Sequence, residues 1–231
     1  MENIYTLAKQ SRLFEGFDEK TFWELYACLR CRVTHYRRGE VLRHQGDAVR
    51  DASVVLYGEA QPASESISGA HSAAARLKPG NVFGYILMSA EHAASPVRIT
   101  AASDLAVLHI PFADIMRGCG KNCEWHVQLR LNLLHVISET FLLQNRQLQY
   151  LKCNSLRERI LLFLADARRE AGTNPFTIDY DRETLAAYLH VNRSALSREL
   201  GRMRDEGVLT YYKNSFKLLY TKDYGEREAF Q

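Results

Sequence analysis

No uninterrupted apolar run in these 231 residues approaches the roughly 18 positions needed to cross a bilayer, which excludes a membrane-spanning helix. The opening Met1-Glu2-Asn3-Ile4-Tyr5 lacks the basic-then-apolar layout of a secretory signal, so a cytoplasmic protein with no membrane partner is expected. Net charge is also scarce: 30 Lys and Arg against 27 Asp and Glu leave +3. A pI of about 8.6 points to polyanions only weakly, and global charge does not identify a nucleic-acid binder. Disorder would need fewer apolar residues than the 46% present, and more net charge. Cysteines number five (Cys28, Cys31, Cys119, Cys123 and Cys153), an odd count that argues against a closed disulfide framework. Cys28-Leu-Arg-Cys31 is a CxxC, and Cys119 and Cys123 form a second close pair, from which a metal or redox site is conceivable. No second CxxC and no HxxxH accompany them. The expectation is therefore reduced thiols packed as small apolar residues, with no metal assigned.

The length suits two domains or one large one. Residues 4–30 read as helical, with Leu13, Phe14, Phe17, Phe22, Trp23, Leu25, Tyr26 and Leu29 around a Gly16-Phe17-Asp18 break. Asp18 is placed to cap the helix that follows. Residues 31–112 change character. Glycines recur at 39, 46, 58, 69, 80 and 84, and short β-rich runs fall at 41–42, 52–57, 97–100 and 105–110. Short strands at turn spacing predict an antiparallel sandwich or jelly roll. Ser66–Gly69 and Lys78–Asn81 fit hairpin ends, and the Ala-rich stretch 70–75 is read as a strand.

Residues 122–152 then run for 31 positions without Pro or Gly. At ~1.5 Å per residue that helix is roughly 45 Å long, more than one small domain covers. Val127, Leu131, Leu134, Ser138, Phe141, Asn145 and Leu148 follow a 4-3-4-3-4-3 spacing, a heptad seam. A second apolar face (Leu129, Leu133, Val136, Ile137, Leu143) is expected to pack on the sheet. Two such faces suit a helix shared between its own domain and a second copy, in a two-fold dimer. The alternative is burial on both sides within one chain. Asn145 in the seam would fix register.

Cys153-Asn154-Ser155 interrupts that helix, and Ser155-Leu-Arg-Glu158 is a capping box that opens a new one over about 156–171. A hinge is expected near 153, and Gly172-Thr-Asn-Pro175 ends the new helix. Beyond it, Asp181 and Asn192 each sit where an N-cap would open a helix, and Gly207 sits where a left-handed cap would close the second. Leu185, Leu189, Val191, Leu196, Leu200 and Met203 are spaced so that two helices share one small core across a tight turn. That is a helix-turn-helix, whose second helix can enter a DNA major groove. Val208–Tyr212, a Lys213-Asn214-Ser215 turn and Phe216–Tyr220 make a hairpin wing. Charge supports the assignment locally. Residues 155–231 hold 13 Lys and Arg against 12 Asp and Glu, but 193–204 hold four arginines (193, 198, 202, 204) against Glu199 alone. Arg193 and Arg198 are placed on the outer, N-terminal face, where an Arg reads guanine or anchors a phosphate. Thr184, Asn192, Ser194, Ser197 and Arg202 complete the candidate DNA-binding set. The bland alternative is an ordinary helical hairpin with a solvated charged face.

Taken in order, these motifs resemble the CRP/FNR family of bacterial transcription regulators along nearly the whole chain. The carriers are Leu13-Phe-Glu-Gly-Phe17, Tyr36-Arg-Arg-Gly39-Glu-Val-Leu-Arg-His-Gln45-Gly46-Asp47, and Leu77-Lys-Pro-Gly80-Asn-Val-Phe83-Gly84. The heptad helix and Asn192-Arg193-Ser-Ala-Leu-Ser-Arg198-Glu-Leu200 follow. The resemblance implies an α+β chain: a cyclic-nucleotide-binding-like β-roll over 1–121, a dimerisation helix and hinge over 122–153, and a winged helix-turn-helix over 154–231. It implies a homodimer bound to palindromic double-stranded DNA, RNA polymerase as a further candidate partner, and Arg193 and Arg198 in base-reading and phosphate-contacting positions. His190 stands where the family often has Gly in the inter-helix turn.

The resemblance weakens at the effector pocket. Family members that bind cyclic nucleotide follow Phe-Gly with Glu for the ribose, and carry Arg-Ser or Arg-Thr downstream for the cyclic phosphate. Here Tyr85 follows Gly84, and Ser95-Pro96 stands near the expected Arg-Ser. Arg98 lies just beyond, where strand alternation could turn it inward. A buried phosphate without a fixed cation is costly, so an unknown small-molecule effector other than cAMP is expected. Candidate contacts are Gly84, Tyr85, Ser95 and Arg98, with the roll around 84–88 and 95–98 as one wall. Gln144 and Asn145 would form the other. An iron–sulfur cluster is not expected, because only Cys28 and Cys31 lie in the N-terminal half; a redox or metal sensor built from Cys28, Cys31, Cys119 and Cys123 stays open. Haem through His126 or His135 stays open as well. A degenerate roll without effector is another alternative. A cupin-like metal enzyme would need clustered ligands, but His35, His44, His71, His92 and His109 are scattered, so no enzyme is expected.

Overall fold

Strands Asp51–Tyr57 (β3) and Leu105–Pro111 (β8) are buried along almost their full length, because helices cover one face of their sheet and a second sheet covers the other. In the computed structural model, which describes residues 3–65, 71–73, 76–85, 94–117, 119 and 123–219 (backbone alone at 64–65 and 71–73), these two strands pair antiparallel at the centre of the N-terminal unit. Around them the order is β1 (Arg32–Tyr36), β8, β3, β6 (Val82–Phe83). The facing sheet runs β2 (Val41–Arg43), β7 (Arg98–Ala101), β4 (Ala60–Glu65), β5 (His71–Ala73). All pairs are antiparallel, the jelly-roll arrangement. Val55, Phe83, Ile99, Leu105 and Val107 fill the space between the sheets. Val54, Leu56, Leu108 and Ile110 point the other way, toward the helices. Such two-sided burial is why these strands read as continuous apolar runs rather than as alternation.

The covering layer is helical. It comprises α1 (Ile4–Ala8), a 3₁₀ turn at Arg12–Phe14, α2 (Glu19–Cys28), α3 (Phe112–Arg117) and the first half of α4 (Glu124–Leu151). Asp18 caps α2 as expected, accepting a hydrogen bond from the Thr21 N–H at 2.8 Å. On α4, Leu129 and Leu133 are buried in this core, where truncating a leucine costs about 2–5 kcal/mol. Between them Asn132 is also buried, and its amide donates to the carbonyls of Leu13 and Glu15 at 3.1 and 2.8 Å. Its oxygen accepts from Gln128, so the polar group is satisfied and ties α4 to the 3₁₀ turn. The packed row is thus Leu129, Asn132, Leu133 and Val136. Ile137 and Leu143, expected on the same face, are exposed instead, because the sheet contact ends within two turns of Leu133.

Contacts divide the chain into two compact units, 1–140 and 141–231, so the boundary falls inside α4. In the second unit α5 (Leu156–Ala171), β9 (Phe176–Thr177), α6 (Arg182–Tyr188), α7 (Arg193–Asp205), β10 (Leu209–Tyr212) and β11 (Ser215–Leu218) close around Leu164, Leu185, Leu196, Leu200, Met203 and Phe216. Ser155 caps α5 by accepting from the Glu158 N–H at 3.1 Å. The return bond of the capping box goes to the Asn154 N–H rather than to that of Ser155 itself, at 3.0 Å. Asp181 and Asn192 cap α6 and α7 as the spacing predicts. Gly207, with φ +73°, closes α7: its N–H donates to Arg204 and that of Val208 to Met203. His190 closes α6 by the same pattern at φ +52°, taking the left-handed position without being glycine. The wing turns on Lys213 and Asn214 alone, since Ser215 already pairs with Tyr212. A third wing strand, β9, is not visible as a pattern in the sequence because it is two residues long.

Candidate nucleic-acid interface

One helix face in the second unit is polar and exposed while its reverse is completely buried. Leu196, Leu200 and Met203 of α7 face the core with no accessible surface. Asn192, Arg193, Ser194, Ser197, Arg198 and Arg202 are all exposed, as is Thr184 at the start of α6. Arg193 lies on nearly the same helical row as Leu200. It escapes burial because it occupies the first helical position, ahead of the core.

The exposed groups differ in how freely they can meet a ligand. The Asn192 side-chain oxygen accepts from both the N–H and the hydroxyl of Ser194, at 2.9 and 2.7 Å, so these two residues hold the helix end. Asp181 accepts from the Thr184 N–H at 2.7 Å, and the bonds from Thr184 keep its carboxyl below the usual range. Glu199 is gripped by Arg157 at 2.9 Å and approached by Arg202 at 3.6 Å, while Arg204 pairs with Asp205. Among the described residues Arg193 and Arg198 form no salt bridge. Of the four arginines in this stretch, Arg202 and Arg204 are salt-bridged and the other two are not, although the Arg193 charge does help to lower the Asp181 carboxyl.

Two features of the wing escaped the sequence reading. Arg182 lays its guanidinium over the rings of Tyr211 and Phe216, 4.8 and 5.1 Å from their centroids, and donates to the Lys213 carbonyl at 3.2 Å. It thereby fastens the wing to α6. At the tip, Lys213 adopts φ +51° beside Tyr212, which is 75% exposed. Only a hairpin turn carrying Lys beside an aromatic could have signalled this.

The heptad positions of α4 are all exposed: Val127, Leu131, Leu134, Ser138, Phe141, Asn145 and Leu148, with Phe141 at 63%. An exposed row in which five of seven positions are apolar is unusual for a surface helix.

The candidate effector residues differ in their surroundings. Gly84 has φ +84°, and a side chain there would meet the Asp51 carbonyl at 2.7 Å. Tyr85 is buried in the helical core, with its hydroxyl 2.6 Å from that of Thr140. Ser95 is buried too, but its hydroxyl donates to the Val97 carbonyl at 2.7 Å. Arg98 is exposed and Ile99 takes the inward place, so alternation turns the arginine away from the interior. Gln144 and Asn145 are exposed. Residues 86–88 of the expected wall, Ser66–Gly69 and His92 lie outside the described residues. Among those described, the ribose carboxylate and phosphate cation that a cyclic nucleotide needs have no equivalent here. A cleft of about 390 Å³ does open elsewhere on the roll, lined by Arg32, Thr34, Tyr36, Arg43, Asp51 and His109.

The cysteines regroup. Cys31 packs on the helical core, where burial above all pushes its thiol up to about 12. Cys28 instead approaches His126, and Cys119 approaches Cys123, at 3.5 and 3.1 Å. Burial holds His126 below the usual histidine range. His135 is exposed. Among the described residues no helix is long and apolar enough to cross a membrane.

A jelly roll followed by a long helix and a winged helix-turn-helix defines a class: regulators that couple a sensory roll to a DNA-reading domain. Residues 33–122 match the family model of the cyclic nucleotide-binding domain and residues 158–222 that of the Crp-like helix-turn-helix domain. Together they cover more than half of the chain, and the chain belongs to the CRP/FNR family of transcription regulators, which are not enzymes. Solved structures share the fold. The Thermus thermophilus catabolite activator protein matches with TM-score 0.53 and 20% identity, over 90% of this chain and 93% of its own. The c-di-GMP responsive global regulator CLP of Xanthomonas campestris matches with TM-score 0.58 and 16% identity, over 88% and 100%. A CooA variant from Carboxydothermus hydrogenoformans gives TM-score 0.57 and 16% identity, over 89% and 87%. A search of curated protein sequences finds no match.

Proposed function

We propose that this regulator acts as a homodimer that reads a palindromic operator through the N-terminal half of α7, under an effector other than a cyclic nucleotide. The observation that carries the reading is the pair of exposed arginines, Arg193 and Arg198, on a helix whose other arginines are held by neighbouring carboxylates. Arg193, at the helix entry, suits bidentate bonding to guanine, and Arg198, five residues on, suits a phosphate. Ser194 and Ser197 lie between them. The positive end of the α7 dipole favours the same phosphate. Lys213 at the wing tip adds a second backbone contact. Dimerisation places two such helices on one duplex, and the exposed heptad row supports it. The four residues between α4 and α5, 152–155, hold the Cys153 break, where a hinge would let an effector bias the reading heads.

The test is an operator selected from random DNA, followed by binding assays on variants. Arg193→Ala is expected to relax preference at one base position per half-site, losing about 1–3 kcal/mol of discrimination there. Arg198→Ala is expected to weaken binding to all sequences alike. Unchanged selection and affinity in both variants would dismiss α7 as the reading helix. Isothermal titration with cAMP is expected to give no heat of binding.

Tyr85 favours a second reading, in which the roll takes no effector, because the residue that follows Gly84 is a ring buried in the helical core and not a polar group available to a ligand. Native mass spectrometry of the purified dimer separates the two. A co-purifying small molecule supports the effector reading, and bare protein supports the second.

A further inference from the structure

Three metal-binding side chains, Cys28, Cys119 and His126, meet in a corner of the N-terminal unit that DNA reading and dimerisation leave unused, and Cys123 lies beside Cys119. Cys28 is the last residue of α2, Cys119 and Cys123 lie in the connection from α3 to α4, and His126 stands in the first turn of α4. Ligand atoms of Cys28, Cys119 and His126 all lie within 4.8 Å of one another. Cys28 Sγ is 3.5 Å from His126 Nε2, and Cys119 Sγ is 3.1 Å from Cys123 Sγ. His126 is only 4% exposed, and its Nδ1 has no hydrogen-bond partner among the described residues. An imidazole buried with one nitrogen unmatched and the other facing thiols is poorly explained by packing alone.

We propose that Cys28, Cys119, Cys123 and His126 form a Cys₃His site for a single thiophilic divalent ion of the zinc class. Zn–S bonds of about 2.3 Å and Zn–N bonds of about 2.0–2.1 Å put sulfur and nitrogen ligands about 3.5 Å apart in a tetrahedron. That is the separation between Cys28 and His126. Two sulfurs on such an ion stand about 3.8 Å apart, so Cys123 would move slightly away from Cys119 and turn toward Cys28 and His126 to complete the site. Cys123 immediately precedes α4 and His126 stands in its first turn, three residues on. Three thiolates exclude magnesium and calcium, which take oxygen, and select zinc-class ions. Cys28 is exposed, giving the ion a way in. Cys28 and His126 are 98 residues apart in sequence, so the ion would cross-link α2 to the base of the dimerisation helix. Metal occupancy would then stiffen the end of α4 from which the seam begins. The site does not depend on the proposed operator or effector.

The experiment uses the full chain, stripped by a chelator under reducing conditions and titrated with Co²⁺ and then Zn²⁺. Saturation at one ion per chain is expected, with thiolate-to-cobalt charge transfer and the intense visible bands of tetrahedral cobalt, both removed by Zn²⁺. Cys119→Ser and His126→Gln are expected to weaken binding by on the order of tenfold or more, while Cys31→Ser and Cys153→Ser leave it unchanged. A weak, octahedral cobalt spectrum, or binding indifferent to the first two substitutions, would overturn the site. Loss of fold in a variant is avoided by alkylating the unsubstituted protein: Zn²⁺ is expected to protect Cys28, Cys119 and Cys123 but not Cys153. Equal labelling with and without Zn²⁺ overturns the proposal. So does anaerobically purified protein that carries iron and acid-labile sulfide on these residues.

Discussion

His109 shows how one side chain can make stability depend on pH. It lies on the central strand β8, 7% exposed, with Nδ1 3.0 Å from the Ser53 hydroxyl. Burial first, and then the Arg32 and Arg43 charges, push it down from 6.5 to about 4, with Asp51 opposing. Because the folded value is depressed, the unfolded chain binds a proton at higher pH than the folded chain does. Stability is therefore whole above about pH 6.5 and is lost as pH falls toward about 4, with no further loss below. The loss amounts to about 2 kcal/mol by pH 5 and about 3 kcal/mol at the limit. Urea melts at pH 7 and pH 5 are expected to show it, and His109→Gln is expected to remove most of the difference. An equal pH response in the variant would assign the effect to other groups. Arg98 teaches the converse lesson: β7 puts it outside and Ile99 inside, a choice of register that two neighbouring residues do not reveal.

At the scale of elements, α4 has two faces with opposite fates. Leu129 and Leu133 are buried within the unit, whereas Leu131, Leu134, Phe141 and Leu148 are 46–63% exposed. The exposed row is expected to be covered by the same row of a second copy. Leu134→Glu and Phe141→Glu each put a charge into that seam, where desolvation would cost more than the heptad gains. Sedimentation is expected to find monomers, with circular dichroism unchanged and operator affinity reduced by on the order of a hundredfold or more, since the two half-sites are then read separately. A dimer that survives both substitutions would place the contact elsewhere. This helix was legible in the sequence, as were the caps at Asp18, Ser155, Asp181 and Asn192, because each signal spans only a few neighbouring residues. The helix-turn-helix core at Leu185, Leu196 and Leu200 was legible for the same reason. The partners of Cys28 were not: the CxxC suggested Cys31, but the end of α2 turns Cys31 into the core and leaves Cys28 beside His126. Strands β4 and β5 also gave little signal, since Ala60–Glu65 and His71–Ala73 are poor in β-branched residues and owe their pairing to β7 and to each other.

For the whole molecule, a net charge of +3 understates its affinity for a polyanion, because the charge that matters is local. Each copy offers the exposed Arg193 and Arg198 at the start of α7 and Lys213 at the wing tip, and two copies double the count without changing the balance elsewhere. Phosphate contacts release counterions, so operator affinity should fall linearly on logarithmic axes as salt rises, with a slope near one per phosphate neutralised. Arg198→Ala removes one phosphate contact from each copy and is expected to reduce that slope by about two for the dimer. Arg193→Ala should change the slope little, since its guanidinium is assigned to a base. Geometry gives an independent check on the two-fold arrangement. Half-sites read by one rigid dimer lie about one helical turn, or a whole number of turns, apart. Inserting about five base pairs, roughly half a turn, turns the second half-site to the far side of the duplex, whereas inserting about ten restores the face. Binding to the half-turn insert is expected to fall to that of a single half-site, and the full-turn insert to recover part of the loss. Equal affinity for all three spacings would mean that the two reading domains act independently, and the dimer would then serve only to raise local concentration on DNA.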